Sequence, residues 1–541
     1  MFRRRRPRTN GEGTRDLGGL SEDDRSYISS RDVEDNRDST PPLGESVELQ
    51  SIWVAECYTP SLADDLVAAM RGLGWGAAGT RGGWFMPPFE HWIREQRYST
   101  YHSWTNLNFI VRESDHRWIG ASKHLANLPG IVDHATGRLF HIFPGLFIIV
   151  VQFVLTEPAG RRLNDVLHRE FQTIHEPDAG GGVVFHSPVE QKREAVTAAR
   201  RQARQECIEW LRGVLPGSFA KTGDLDTFPT CDFVTLELGR PADVTAGPRS
   251  YLRCLDFDTD IDWWSCEALP GLLLRSPRGW NEDKLALTLA ANYHQAFTDM
   301  QLEVYGGRTR TALSLSLDEL DTTATIWALN ALLRLYERNF SSLGERVANS
   351  VAKPSLAELI SDIAALEVAV LQLSPDALIL ASEASNFCSA PQLFHHDVAV
   401  FVPVRPLWPL ATVHNPAGSG WSRLKSLWKR EPIAATAEGE PHLFEGVRLE
   451  LVRRCERLQQ TEVQVRQLIQ AGSSLANARS QQRLAKTNVW LQRVVALLAA
   501  VSLTVSIVSL FVTCNTQHES QAARPAVVAT PQVPTASPRL P

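Results

Sequence analysis

The chain has 541 residues, 43% of them hydrophobic, and a formal net charge of −6. That length leaves room for two or three domains with sizeable cores, and so mild a charge gives no argument for nucleic acid or any strongly charged partner, so no nucleic acid is expected. Its eight cysteines are scattered with no CxxC pair, the pattern of a reduced cytosolic chain without a disulfide framework or zinc site.

Residues 1–46 read as a disordered tail. A basic run, Arg3 to Arg6, gives way to acidic residues, Gly, Ser and Pro. No apolar stretch follows the arginines, so the run is not part of a signal peptide. Residues 47–188 read as a small mixed α+β domain, with strand character at 48–58, 107–111, 146–155 and 183–186. Residues 62–71 and 161–171 space like helices, and the resulting order, βαββαβ, is that of the ferredoxin-like plan. The Ile- and Val-rich run 146–155 is too short to span a membrane and is expected as a central strand covered on both faces.

Residues 189–405 read as a mainly helical domain. A charged helix is expected over 191–212, and Asn281 is placed to cap another carrying Leu285, Leu289, Tyr293, Phe297 and Met300. A third helix is expected over 316–336. Ser355 and Glu358 form a capping box ahead of Leu359, Ile363, Leu366 and Val370, and a strand-like stretch, 398–404, ends the region. The Pro-, Gly-, Ser- and Ala-rich residues 406–441 read as a linker. From 442 to 493 no proline occurs, so a stalk helix of roughly 75 Å is expected. It continues into a transmembrane helix, 494–513, and then a disordered tail, 514–541.

The span rests on Val494 to Val512, nineteen residues without a charge. At 1.5 Å per residue they reach about 29 Å, roughly the hydrocarbon thickness of a bilayer. Arg479, Arg483, Lys486 and Arg493 flank its N-terminal side, against Arg524 alone within fifteen residues beyond it. The excess marks the cytoplasmic side, so a single-pass, tail-anchored protein with its bulk and N-terminus in the cytosol is expected. Trp490 lies one turn before the apolar run, at headgroup level.

Other motifs carry less chemistry. Gly74-Trp-Gly76-Ala-Ala-Gly79 matches GxGxxG but follows a helix, where a dinucleotide site needs a strand. Asp256, Asp258, Asp260, Asp262 and Glu267 space like calcium-loop donors, yet Ile261 occupies the position of the turning Gly. His395-His396-Asp397, and His175, Glu176, Asp178 and His186, lack HExxH spacing or a nucleophile. No catalytic, cofactor or metal residue is therefore assigned. Trp421, Leu424, Leu427 and Trp428 among Arg423, Lys425, Lys429 and Arg430 suit an interfacial helix, which a break at Gly472 would bring to the bilayer.

One heptad stripe of the stalk and span is small or uncharged-polar throughout. It runs through Gln460, Gln464, Gln467, Ala471, Ser474, Ala478, Gln481, Ala485, Asn488, Gln492, Val495, Ala499, Ser502, Ser506, Ser509 and Thr513. All six charges of the region lie off it (Glu462, Arg466, Arg479, Arg483, Lys486, Arg493). Small residues let helices approach closely in lipid, and Ser and Asn hydrogen-bond across the contact. A cytosolic α/β domain, a helical region and a long helix entering the membrane together resemble the CorA magnesium-channel layout. That family follows its first span with Gly-Met-Asn and a second span. Here Thr513-Cys-Asn515 leads into a polar, Pro-rich tail, and no Met lies beyond Met300.

Three readings follow. The first is a membrane-anchored interaction or regulatory protein, its partners the lipid bilayer and further copies or a helical membrane partner. The second is a membrane-active oligomer, a channel or pore-forming effector. The third is a membrane-tethered enzyme with its site near His395, His396 and Asp397.

Overall fold

The computed structural model describes residues 22–75, 79–81, 84–86, 88–114, 123–177, 183–239, 251–255, 257, 262–266, 272–276, 286–292, 308–389, 401–403 and 443–520. The chain divides into two compact units, residues 1–342 with 369–465, and residues 343–368 with 466–541.

The described chain begins with α1 (Glu22–Ser39), followed by β1 (Val47–Tyr58), α2 (Ala63–Gly72) and a small hairpin of β2 (Gly79–Arg81) and β3 (Trp84–Met86). Next come α3 (Phe89–Gln96), β4 (Ser103–Val111), β5 (Lys123–Leu125), β6 (Val132–Phe143), β7 (Leu146–Leu155) and α4 (Glu157–Leu167). A second hairpin, β8 (Ile174–Pro177) and β9 (Val183–His186), precedes α5 (Pro188–Val214). After β10 (Thr230–Leu236) and α6 (Tyr251–Cys254) come β11 (Asp262–Cys266), β12 (Leu272–Ser276) and β13 (Ala286–Asn292). The helices α7 (Arg308–Val351) and α8 (Leu356–Ser389), β14 (Phe401–Pro403) and α9 (Leu443–Ser520) complete the order.

Ten strands form one sheet in the order β14-β11-β12-β13-β10-β1-β7-β6-β4-β5. Neighbours are antiparallel except the pairs β10–β13 and β4–β5. β7 is buried at every position, so its sequence shows an unbroken apolar run rather than alternation. α5 covers one face of the sheet, where Trp210 meets Phe153 edge-on with ring centroids 5.5 Å apart. α7 covers the other, bringing the Ala328 carbonyl to 3.9 Å from the Cys57 Sγ. The tight turn from β6 to β7 needs a left-handed residue, which Gly145 supplies at φ +85°.

In the second unit the turn between α7 and α8 docks onto α9. Arg479 donates to the Lys353 carbonyl at 3.2 Å, and Asp362 accepts from Ser350 and Lys353 at 3.0 and 2.8 Å. A Cβ at Gly472 would lie 2.7 Å from the Ile363 Cδ1, so glycine permits this close approach. α9 runs unbroken through Gly472, so the break that would bring an interfacial helix at 421–430 to the bilayer is absent there.

The chain is thus mixed α/β, with a large helical share and a long apolar C-terminal helix. The ferredoxin-like order does not describe the sheet. β6, unforeseen, pairs between β7 and β4, and β9 joins β8 in a separate hairpin. The region expected to be mainly helical contributes β10, β11, β12 and β13 to the sheet. Residues 286–292, expected within a helix capped by Asn281, form a strand paired parallel with β10. Within the expected tail, 22–39 is helical. This polar helix is held by tertiary hydrogen bonds, Asn36 donating to the Phe171 carbonyl at 2.7 Å and accepting from its N–H at 3.0 Å. At Ser355 the cap forms through its Oγ, which accepts from the Glu358 N–H at 3.5 Å.

Candidate membrane anchor and helix interface

α9 presents two contrasting faces. In the first unit Val447, Leu451, Arg454, Leu458, Glu462 and Val465 are buried at steps of three and four, and in the second Ile469, Gly472 and Ala476 continue the seam. Glu462 accepts from Ser374 of α8 at 2.7 Å. Arg454 pairs with Glu337 of α7 at 3.2 Å and with Glu450 at 3.1 Å. Burial pushes the Glu337 carboxyl above its usual range, against the pull of Arg454 and Arg457. The opposite face carries Gln460, Gln464, Gln467, Ala471, Ser474 and Ala478, all exposed.

Beyond the seam the helix changes character. From Gln481 to Thr513 every residue is exposed save Val494, which is half-buried. Ala485, Asn488, Gln492, Ala499, Ser502, Ser506 and Ser509 all lie on this stretch, and no other described element covers them. The apolar remainder is as open: Leu497, Leu503, Leu510 and Phe511 are each more than 60% exposed. Thr504 and Thr513 return their hydroxyls to the Val501 and Ser509 carbonyls at 2.7 Å, satisfying them within the helix. Two described helices are long and apolar enough to cross a bilayer. The apolar stretch of α8 is 39% buried against its own chain, and that of α9 not at all. The apolar stretch of α9 is thus compatible with a membrane anchor.

The buried charges serve structure. On β1, Glu56 accepts from the N–H groups of Cys57 and Phe219 at 2.8 Å and of Ala220 at 2.9 Å. Burial drives its pKa up to about 7, while those same donors pull it down. Asp232 of β10 receives Arg200 and Arg204 of α5 at 2.7 Å each. Burial alone would raise its pKa, but Arg204 and Arg200 together hold it below the usual range. Asp376 accepts from Thr59 at 2.6 Å and from Ser61 at 2.5 Å. A signal for Glu56 existed, a charge inside the apolar run Val54-Ala-Glu-Cys-Tyr58.

A cavity of about 1240 Å³ lies between α1 and residues 168–175. Of its lining groups, Asp32 accepts from the Thr173 N–H at 2.9 Å and Asn36 is taken up by the Phe171 backbone, whereas the His175 Nε2 is buried without a hydrogen-bond partner among the described residues. His175 packs edge-on against Phe185 in the β8–β9 hairpin, with Asp178 outside the described residues. Also outside them are His395, His396, Asp397, Asp256, Asp258, Asp260, Glu267 and the basic segment at 421–430. Among the described residues no cluster of His, Cys, Asp and Glu could hold a metal ion. Comparison with protein-family models, curated proteins and solved structures finds no match in any of the three.

Proposed function

We propose that this is a single-pass, membrane-anchored interaction or regulatory protein that self-associates through α9, with the sheet domain in the cytosol. One observation carries the reading: from Val495 to Thr513 α9 is exposed all round while its sequence is uncharged and largely apolar, with small and hydroxylic residues recurring along one stripe. Exposed leucines and valines at that density call for lipid, and the Ala–Ser stripe calls for a close helical partner. The cationic flank of Arg479, Arg483, Lys486 and Arg493 supports the orientation.

The full chain is expected to stay in the membrane pellet after alkaline carbonate washing, and a version ending at Lys486 to be released. Retention of the truncated form would remove the span as the anchor. Replacing Ser502 and Ser506 together with Leu should weaken self-association, whereas the same substitution at Ile507 should not. Equal effects around the helix would reduce the anchor to a tether. A second reading, an oligomer that passes ions, is favoured by the uncharged polar character of the stripe. Ion flux in liposomes lost on Ser502→Leu would select it.

A further inference from the structure

The exposed face of α8 is unusually apolar for a helix outside lipid. Leu371 is 57% exposed, and Leu378 and Ile379 41% each, with Pro375 and Ser382 open beside them. Farther back on the same helix Val368 and Ile360 are also exposed. The buried side of α8 is already fully used, by Val370, Ser374, Ala377, Leu380, Ala381 and Ala384. Single exposed leucines are ordinary, but a row along one helix marks an interaction surface.

Its charge is one-sided. From Leu356 to Ser389 there is no Lys or Arg, and Glu358, Asp362, Glu367, Asp376 and Glu383 are all acidic. The outer face of α9 in the same unit is the natural complement. Leu449 and Val463 are 46% and 49% exposed, and Arg453 stands exposed between them. Neither Glu383 nor Arg453 has an ion-pair partner among the described residues of its own chain.

Height along the helices matches as well. α8 and α9 run antiparallel, tied by Ser374 to Glu462 and by Arg448 to the Cys388 carbonyl. Nine residues onward from Ser374 is Glu383, and nine back from Glu462 is Arg453, so the two stand level. Leu371 stands within two residues of the level of Val463. Glu456, the acid on the same face of α9, falls level with Leu380, where α8 carries no charge. Copies inserted in one bilayer in one orientation share a height, so level residues on facing flanks meet.

We propose that Leu371, Leu378, Ile379 and Glu383 of α8 dock on Leu449, Arg453 and Val463 of α9 in a second copy of this chain. The contact is head-to-tail, and closes into a ring if the rotation between copies closes. It rests on the self-association proposed above and adds a second interface, outside the membrane.

The test uses the full chain in mild detergent, with oligomer mass measured against concentration. Glu383→Arg and Arg453→Glu should each weaken association about tenfold, the cost of one lost charge pair. The two together should restore it, which a folding defect would not do. In mixed samples of differently tagged copies, Leu371→Cys on one should cross-link to Val463→Cys on the other. Unchanged mass in both single variants, failure of the double variant to restore, or absence of copy-to-copy cross-links would overturn the interface. In the last case a different protein, or residues 404–442 of the same chain, covers α8. The two proposals fail separately. Loss of the oligomer on Ser502 and Ser506→Leu, with none on charge reversal, leaves only the span interface. The reverse pattern leaves only this one.

Discussion

Glu56 sets two opposing effects against each other, and pH separates them. Burial favours its neutral form and places its pKa near 7, against an ordinary 4.5. The backbone donors from Cys57, Phe219 and Ala220 favour the carboxylate. With the folded pKa raised, the stability it contributes is fully present below about pH 4.5 and is lost as pH rises through about 7. At 1.36 kcal/mol per pH unit the whole change is about 3 kcal/mol. Glu56→Gln resembles the protonated acid and cannot titrate. The variant should therefore gain on the wild type between pH 4.5 and 8 by up to about 3 kcal/mol. Urea unfolding of both proteins at several pH values, followed by tryptophan fluorescence, reads that difference directly. Taking the difference matters, because His124 and His141 are held down at about 4 by burial. Their contribution runs the other way, present above 6.5 and lost as pH falls through 4, and it cancels between the two proteins. A wild type that gains stability over Glu56→Gln as pH rises would refute the reasoning, and would mean that the three donors outweigh burial.

Asp232→Ala leaves Arg200 buried without its anion, and should cost about 3–5 kcal/mol in thermal or urea unfolding. A loss under 1 kcal/mol would mean that solvent reaches the pair. Gly217→Ala should destabilise by about 1–3 kcal/mol, since its Cβ would lie 2.6 Å from the Cys57 carbonyl oxygen, a backbone atom with little freedom to yield. An unchanged urea midpoint would show that the loop shifts freely. Membrane orientation is read by labelling Cys514 with an impermeant thiol reagent: reaction from the non-cytosolic side is expected, and reaction from the cytosolic side alone would reverse the topology.

The parts of this fold that were legible in sequence are those whose signal is local. β7 announces itself by ten apolar or buried positions in a row, α2 by its helical spacing, and α8 by Ser355 and Glu358 at its start. What escaped depends on partners far away in the chain. Leu285, just before β13 in sequence, and Leu289 within it stand at helical spacing, yet Leu287 and Leu289 alternate equally well. Pairing with β10, more than fifty residues earlier, decides for the strand. β6 mixes His134, Arg138 and His141 into its apolar positions and shows no clean period. α1 has no apolar stripe and is fixed by Asp32 and Asn36 reaching residues 171–173. The exposed stripe on α9 was visible as composition. That its opposite side would be spent on α7 and α8 was not, because a seam of Arg454 and Glu462 among leucines reads as solvated charge until the partners are known.

The order of strands in the sheet also fixes an order of events during synthesis. β14 supplies an edge strand beside β11, and it is the last strand among the described residues, ending at Pro403. The apolar run begins only at Val494. At 5–20 residues per second, roughly 5–18 seconds separate them on the ribosome. The ten-stranded sheet can therefore close before the apolar run of α9 is made, and a nascent chain stalled between those points should already resist protease across residues 47–236.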